Sequence, residues 1–218
     1  PQNARAEAAV VTDPELVRRM RPSIIHVLGD AEECSRRLMG SGFVVSDDYV
    51  ITNAHVVAGT QTVRLDTKLG LKDATVVYYN PDVDVAVLHS RDLGIDPLPW
   101  AQTPAQTGDD AMVMGFPHSG PFNAEMARVR DRITISGPDI YSHGHVERDS
   151  YTVRGNIQQG NSGGPLVNTA GEVLGVVFGA SVDDSETGYA LTADEVNSQI
   201  GDVAQLTHPV DTGECVAH

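Results

Sequence analysis

The sequence predicts an all-β protein: two antiparallel six-stranded β-barrels with short N- and C-terminal helices. Short Val-rich runs alternate with polar residues from Ile24 onward, and turn residues separate them. Such runs are strand material. They fall into two series divided by Ile95-Asp96-Pro97-Leu98-Pro99-Trp100, whose closely spaced breakers read as a linker. No helix-length segments alternate with the strands, which excludes a parallel α/β sheet.

Residues 1–11 are Ala-rich and aperiodic, a loose lead-in. Thr12-Asp13-Pro14-Glu15 then supplies a capping oxygen at Thr12, an early helical proline and a Glu three residues on. That chemistry opens a helix to about Met20. Arg18, Arg19 and Arg21 read as its solvated face. The first strand series includes Gly42–Val45, Tyr49–Thr52, Thr62–Leu65, Ala74–Val77 and Asp84–Leu88. Ser46-Asp47-Asp48 and Asn80-Pro81 are turns within it. The second series is Ala111–Gly115, Ala127–Ser136, Ser150–Arg154, Pro165–Asn168, Val173–Phe178 and Tyr189–Leu191. Thr192-Ala193-Asp194-Glu195 is a second capping box, opening a helix to about Ile200. The expected division is a lead-in and helix over 1–21, a barrel over 22–100, a second barrel over 101–191, and a helix and tail over 192–218.

Composition narrows the partners. The 218 residues are 40% apolar but only 5% aromatic, so the cores must rest on Val, Ile, Leu and Ala. A formal charge of −15 argues against nucleic acid and anionic membrane surfaces. No stretch approaches the roughly 20 apolar residues that span a bilayer. No signal peptide is visible, and the chain opens at Pro1, which points to a longer precursor. In a cytosolic protein Cys34 and Cys215 would be separate thiols; the reading adopted is a disulfide joining the tail to the front of the fold. Such a staple implies an oxidising compartment.

The chemistry sits in three segments. Gly160-Asn161-Ser162-Gly163-Gly164-Pro165-Leu166 places a serine in a glycine-bounded turn. Serine needs a base within hydrogen-bond reach, and the base needs an orienting acceptor. His55, just after the strand that ends near Thr52, is the candidate base. Asp84 opens the apolar run Val85-Ala86-Val87-Leu88, where a carboxylate needs a partner to offset its desolvation. Asp82 is its rival, two residues away on the same face of an extended chain; Asp84 is favoured because it adjoins the apolar run. His, Asp, Ser is one of the known orders of a hydrolytic triad. The N–H groups of Gly160 and Ser162 would converge as an oxyanion hole.

With Gly40-Ser41-Gly42-Phe43-Val44-Val45 and Thr52-Asn53-Ala54-His55-Val56-Val57, these segments resemble the chymotrypsin-fold serine proteases of the bacterial HtrA type over about residues 22–200. Ser136-Gly137-Pro138-Asp139-Ile140-Tyr141, Leu174–Ala180, Thr187–Ala193 and the Cys34/Cys215 pair resemble a mycobacterial periplasmic branch tied to acid resistance. The resemblance implies a chymotrypsin-like endopeptidase domain outside the cytoplasmic membrane, tethered by precursor helices and active in acid or cell-envelope stress. It implies no metal and no cofactor. It puts Phe178, Gly179 and Ala180 on one wall of a substrate pocket, Gly188, Tyr189 and Ala190 on another, and Asn156 near the floor. No placed acid would receive Arg or Lys there, so a small or medium apolar side chain is expected before the scissile bond. The expected partners are protein or peptide substrates, cell-envelope proteins among them. The chain itself is expected to be a monomer without membrane contact.

Two departures from relatives stand out. The chain ends about 18 residues past the last helix, so no PDZ module is expected within it. Asn161 stands where zymogen-activated trypsins carry an Asp that pairs with a new N-terminus, so the site should not depend on a liberated amine. His143-Gly144-His145 reads as a loop, Arg128, Arg130 and Arg132 as one outward strand face, and His118 as lying near the cleft. An α/β-hydrolase esterase would need its acid and His after the serine, and a helix where Pro165 stands. A non-catalytic binding module on the same fold is the other alternative.

Overall fold

The structure is a computed structural model describing residues 13–216. Twelve strands close into two antiparallel barrels. The first comprises β1 (Ile24–Ala31), β2 (Arg36–Ser46), β3 (Tyr49–Thr52), β4 (Thr62–Thr67), β5 (Gly70–Asn80) and β6 (Val85–His89), in the order β1-β2-β3-β6-β5-β4. The second comprises β7 (Asp110–Gly115), β8 (Asn123–Gly137), β9 (Val146–Gly155), β10 (Pro165–Asn168), β11 (Val173–Ala180) and β12 (Thr187–Thr192), in the order β10-β11-β12-β9-β8-β7. Among the described residues three short α-helices accompany them: α1 (Pro14–Met20), α2 (Ala54–Val57) and α3 (Ala193–Ile200). The fold is the all-β, two-barrel one that the alternation predicts. Several strands run longer than their apolar runs, because ladder bonds continue through polar ends such as Gly70–Asp73 and Asn123–Met126.

Aliphatic side chains fill each barrel. Ile25, Val27, Val44, Val50, Leu65 and Leu88 pack the first; Val113, Val129, Val153, Leu166 and Val177 pack the second, around the buried ring of Tyr151. A third cluster joins the barrels, with Phe43, Ile51, Val85 and Val87 meeting Met112, Met114, Val176 and Leu191. Each fully buried Val, Leu or Ile contributes about 1.5–3 kcal/mol. Helices α1 and α3 cover this seam with Leu16, Met20, Val196 and Ile200. The linker is stitched to both barrels: the Leu98 N–H donates to Val44 O at 2.9 Å and the Val173 N–H to Pro99 O at 2.8 Å.

The helix caps differ from expectation in detail. Asp13 caps α1, its carboxylate accepting the Leu16 N–H at 3.1 Å. Thr12 and the lead-in over 1–11 lie outside the described residues. Thr192 caps α3 through the Glu195 N–H at 3.1 Å, but Glu195 turns its own carboxylate to the Asp149 N–H at 3.1 Å, so the reciprocal half of the capping box is not made. Cys34 and Cys215 are bonded, with Cα atoms 6.5 Å apart. The tail also pairs with the first barrel: the Gly59 N–H donates to Thr212 O and the Val210 N–H to Val76 O, both at 2.9 Å.

Candidate active site

Asp84 ends a tight turn rather than beginning a strand. The Asn80 side-chain oxygen accepts the N–H groups of Asp82 and Val83 at 3.1 and 3.3 Å, and the Asp84 N–H returns to Asn80 O at 3.0 Å. Asp84 sits at φ +70°, a conformation that Asp tolerates better than most residues. The turn buries Asp84 to 5% exposure and leaves Asp82 exposed. The two carboxylates therefore do not share a face, which separates them more sharply than an extended chain would.

Both oxygens of Asp84 face His55. One accepts the His55 N–H at 2.9 Å; the other lies 2.6 Å from ring Nδ1. His55 itself rides on α2, a single helical turn immediately after β3, and not on the strand end. The Asn53 side-chain N–H donates to Asp84 O at 2.8 Å, tying the start of that turn to the acid's backbone. Burial of the imidazole works to lower its pKa, but the Asp84 charge and hydrogen bond outweigh it, and the net shift is upward from 6.5. With Nδ1 donating to Asp84, Nε2 is left as the acceptor.

Ser162 sits in a turn that only glycine permits at two points. Gly160 is at φ +99°, and a Cβ there would lie 2.5 Å from Phe116 O. At Gly163, φ is +91° and a Cβ would strike Ser41 O. The turn is closed by Asn161 N–H to Gln158 O at 3.1 Å and Gly164 N–H to Asn161 O at 3.0 Å. Gly163 N–H donates to Val177 O at 2.8 Å, anchoring the turn to β11. Among the described residues, neither the Gly160 N–H nor the Ser162 N–H has a protein acceptor. Both are thus available to an external oxygen.

Ser41 on β2 is the residue that sequence reasoning did not single out. Its N–H donates to Ser162 O at 3.0 Å, its hydroxyl donates to Gly160 O at 2.6 Å, and that hydroxyl accepts the Phe116 N–H at 2.9 Å. Its flanking glycines, Gly40 and Gly42, were the available signal, since both allow close backbone approach. His55, Gly160 and Ser162 line one cleft of about 650 Å³, together with Met39, His118 and Gln159.

The pocket expectations divide. Phe178 and Tyr189 lie side by side, ring centroids 6.2 Å apart. Gly179 is half-buried and Ala180 exposed. Gly188 and Ala190 are buried, Ala190 within the second-barrel core. Asn156 is exposed, and the side chain packed against Gly188 is the neighbouring Ile157. The register slips because the Ile157 N–H turns back to Gly155 O at 3.1 Å. Elsewhere, Arg128 pairs with Asp110 at 3.2 Å, and Arg132 with Asp149 and Asp194 at 2.5 and 3.1 Å. His145 lies 3.9 Å from Glu147 at the surface. Asn161 is 1% exposed, and neither atom of its amide has a partner among the described residues.

The family model of the trypsin-like peptidase domain matches residues 40–176, a span containing all of these segments up to the start of the pocket wall. The chain belongs to that family. This trypsin-like chain is 47% identical to serine protease Rv3671c of Mycobacterium tuberculosis over 215 residues, covering 98% of this chain and 54% of that protein. It is 32% identical to serine protease HTRA1A of Danio rerio over 187 residues, covering 81% of this chain and 38% of that one. The crystal structure of the active form of Rv3671c protease superimposes with a TM-score of 0.92 at 48% identity, covering 96% of this chain and 92% of that one. The chain spans about half the length of the Rv3671c protein it matches, 54% of it. Membership gives the trypsin-like chain the fold and the class, a serine peptidase of HtrA-like type. No helix among the described residues is long and apolar enough to cross a membrane.

Proposed function

We propose that this chain is an endopeptidase in which Ser162 attacks the peptide carbonyl, His55 takes its proton and Asp84 orients the imidazole. The observation that carries the proposal is the Asp84–His55 pair, bonded at 2.6 and 2.9 Å, with His55 opening on the cleft that Ser162 lines. As Ser162 Oγ bonds to carbon, its proton moves to Nε2 and the carbonyl electrons move to oxygen. The N–H groups of Gly160 and Ser162 stabilise that oxyanion; removing one such donor costs about 3–4 kcal/mol of barrier lowering. The C–N bond then breaks, His55 returns the proton to the leaving amine, and water repeats the sequence to release the acid. No metal or cofactor takes part in any of these steps.

Phe178, Gly179, Ala180, Gly188, Tyr189 and Ala190 are proposed to bound the substrate pocket, with Ile157 rather than Asn156 filling the space behind Gly188. That filling and the absence of an acid in the set favour a small or medium apolar residue before the scissile bond. Because Asn161 carries no charge, the site does not await a liberated N-terminal amine. The chain is proposed to act as a monomer on protein substrates outside the cytoplasmic membrane, tethered through a longer precursor, in acid or cell-envelope stress. The disulfide supports the compartment, since such bonds persist where conditions are oxidising.

The test is cleavage of casein and of a peptide library by the chain and by Ser162→Ala. The variant should lose on the order of 10⁶ in kcat, the loss expected when a triad serine is removed. Labelling by a serine-directed phosphonate should occur in the chain and fail in the variant. Equal cleavage by both proteins would overturn the assignment of Ser162.

A further inference from the structure

Arg148, near the start of β9, is 6% exposed. Buried arginines are almost always paired with a carboxylate; among the described residues this one is not. Its Nη2 donates to Asp82 O and, at 3.0 Å, to Pro138 O. Its Nε is buried without an acceptor among the described residues. One face of the guanidinium lies over the Phe178 ring, 5.7 Å from its centroid. These contacts join three places: the turn that presents Asp84, the loop between β8 and β9, and the Phe178 ring on β11, proposed above as a pocket wall.

From these contacts we infer that Arg148 is a positioning residue for the triad, clamping the Asp84 turn from the second barrel and linking that turn to the pocket wall at Phe178. The inference rests on the triad reading and extends it. The Asp82 carbonyl that Arg148 holds is two residues from Asp84, inside the turn closed by Asn80. A guanidinium there fixes where that turn stands relative to the second barrel, and Ser162 belongs to the second barrel. Barrel-to-barrel geometry is what a triad with His and Asp on one side and Ser on the other must keep.

The charge acts as well. The acids whose charge reaches Arg148 are Asp82 and Asp84 on the turn, Asp139 on the β8–β9 loop and Glu195 on α3; β11 faces it with the uncharged Phe178. Burial pushes the Arg148 pKa down, and those acids, Asp84 foremost, oppose the shift. Asp84 carries its negative charge toward His55, whose pKa its field raises. A fixed cation beside Asp84 offsets part of that field and keeps His55 neutral to lower pH. Other titratable groups near the pair are Tyr79, which hydrogen-bonds Tyr141, and His118, Arg36 and Arg37, which line the cleft with His55. Burial raises the Tyr79 pKa, so it stays uncharged where His55 titrates. An arginine in this place thus widens the acid side of the working range.

The experiment compares the chain with Arg148→Lys, Arg148→Gln and Arg148→Met. Two readouts are taken: the pH profile of kcat/KM, and the titration of the His55 ring by NMR in the Ser162→Ala background. The neutral variants should move the His55 pKa, and the acid limb with it, upward by about half a unit or more, and lower kcat at least about tenfold. Lysine keeps the charge but loses the fork, so it should hold the limb in place while lowering kcat. Glutamine retains a donor for the carbonyls and supplies the neutral comparison should the methionine variant not fold. The inference is overturned if His55 titrates at one pH in all of them, or if kcat merely follows the folded fraction. Failure of the triad reading itself would look different: the unaltered chain would not hydrolyse peptide, whatever the NMR titration shows.

Discussion

At the scale of single residues the site is governed by one charge placed against one ring. Asp84 spends both oxygens on His55, and its field outweighs the burial that would lower the imidazole pKa. A raised pKa means that the proposed base is lost on acidification sooner than a free histidine would lose it. The acid limb of kcat/KM should therefore lie above 6.5, with activity falling as pH drops through it. Asp84→Asn should lower kcat by about 10⁴ and move that limb down, as measured in a pH series. The same shift carries a stability term of fixed sign. Folding gains from the pair are complete below the unfolded His pKa of about 6.5 and fade as pH rises through the folded value. The gap in Tm between the chain and His55→Ala should accordingly narrow with rising pH. Gly163→Ala combines φ +91° with a collision at Ser41 O, so it should cost more than about 2 kcal/mol in denaturant unfolding and abolish cleavage. These three residues were legible in the sequence. Choosing Asp84 over Asp82 rested there on its adjoining an apolar run; in the fold it rests on a turn that buries one and exposes the other.

At the scale of elements, β2 does more than close a barrel. Its Ser41 holds the serine turn from the opposite barrel by two hydrogen bonds, one of them between the hydroxyl and Gly160 O at 2.6 Å, and the same hydroxyl accepts the Phe116 N–H. Ser41→Ala would leave Gly160 O and the Phe116 N–H without that partner, at about 1–3 kcal/mol for a buried polar group. Because Gly160 is the proposed oxyanion donor, the variant should lose kcat with little change in KM under steady-state kinetics. The helix ends behave more simply. Thr192→Ala removes the cap of α3 and should lower stability by about 1 kcal/mol in chemical denaturation. The Thr192 cap was readable from residue types alone. The redirection of Glu195 to the Asp149 N–H was not, because Asp149 is supplied by β9 from a different part of the chain.

At the scale of the whole molecule, two barrels share a seam of Phe43, Ile51, Met112, Met114 and Leu191, and the tail is bound back to the first barrel. The bond between Cys34 and Cys215 closes a loop with a sequence separation of 181. In the chain-entropy treatment a loop that long accounts for about 5 kcal/mol, with measured gains often smaller. Reduction, or the double change Cys34→Ser with Cys215→Ser, should lower Tm by several degrees or more in a calorimeter. The sequence by itself determined most of the strands, the two-barrel grouping, and the candidate residues for the chemistry. All of these are written in short-range pattern: period-two alternation, turn residues, and glycines around a serine. The tertiary structure alone decided that Ser41 holds the serine turn, that Ile157 and not Asn156 packs against Gly188, and that a buried Arg148 spans from β9 to the turn of Asp84. Each of these depends on which side chains from distant segments meet, and closing the barrels is what brings those segments together.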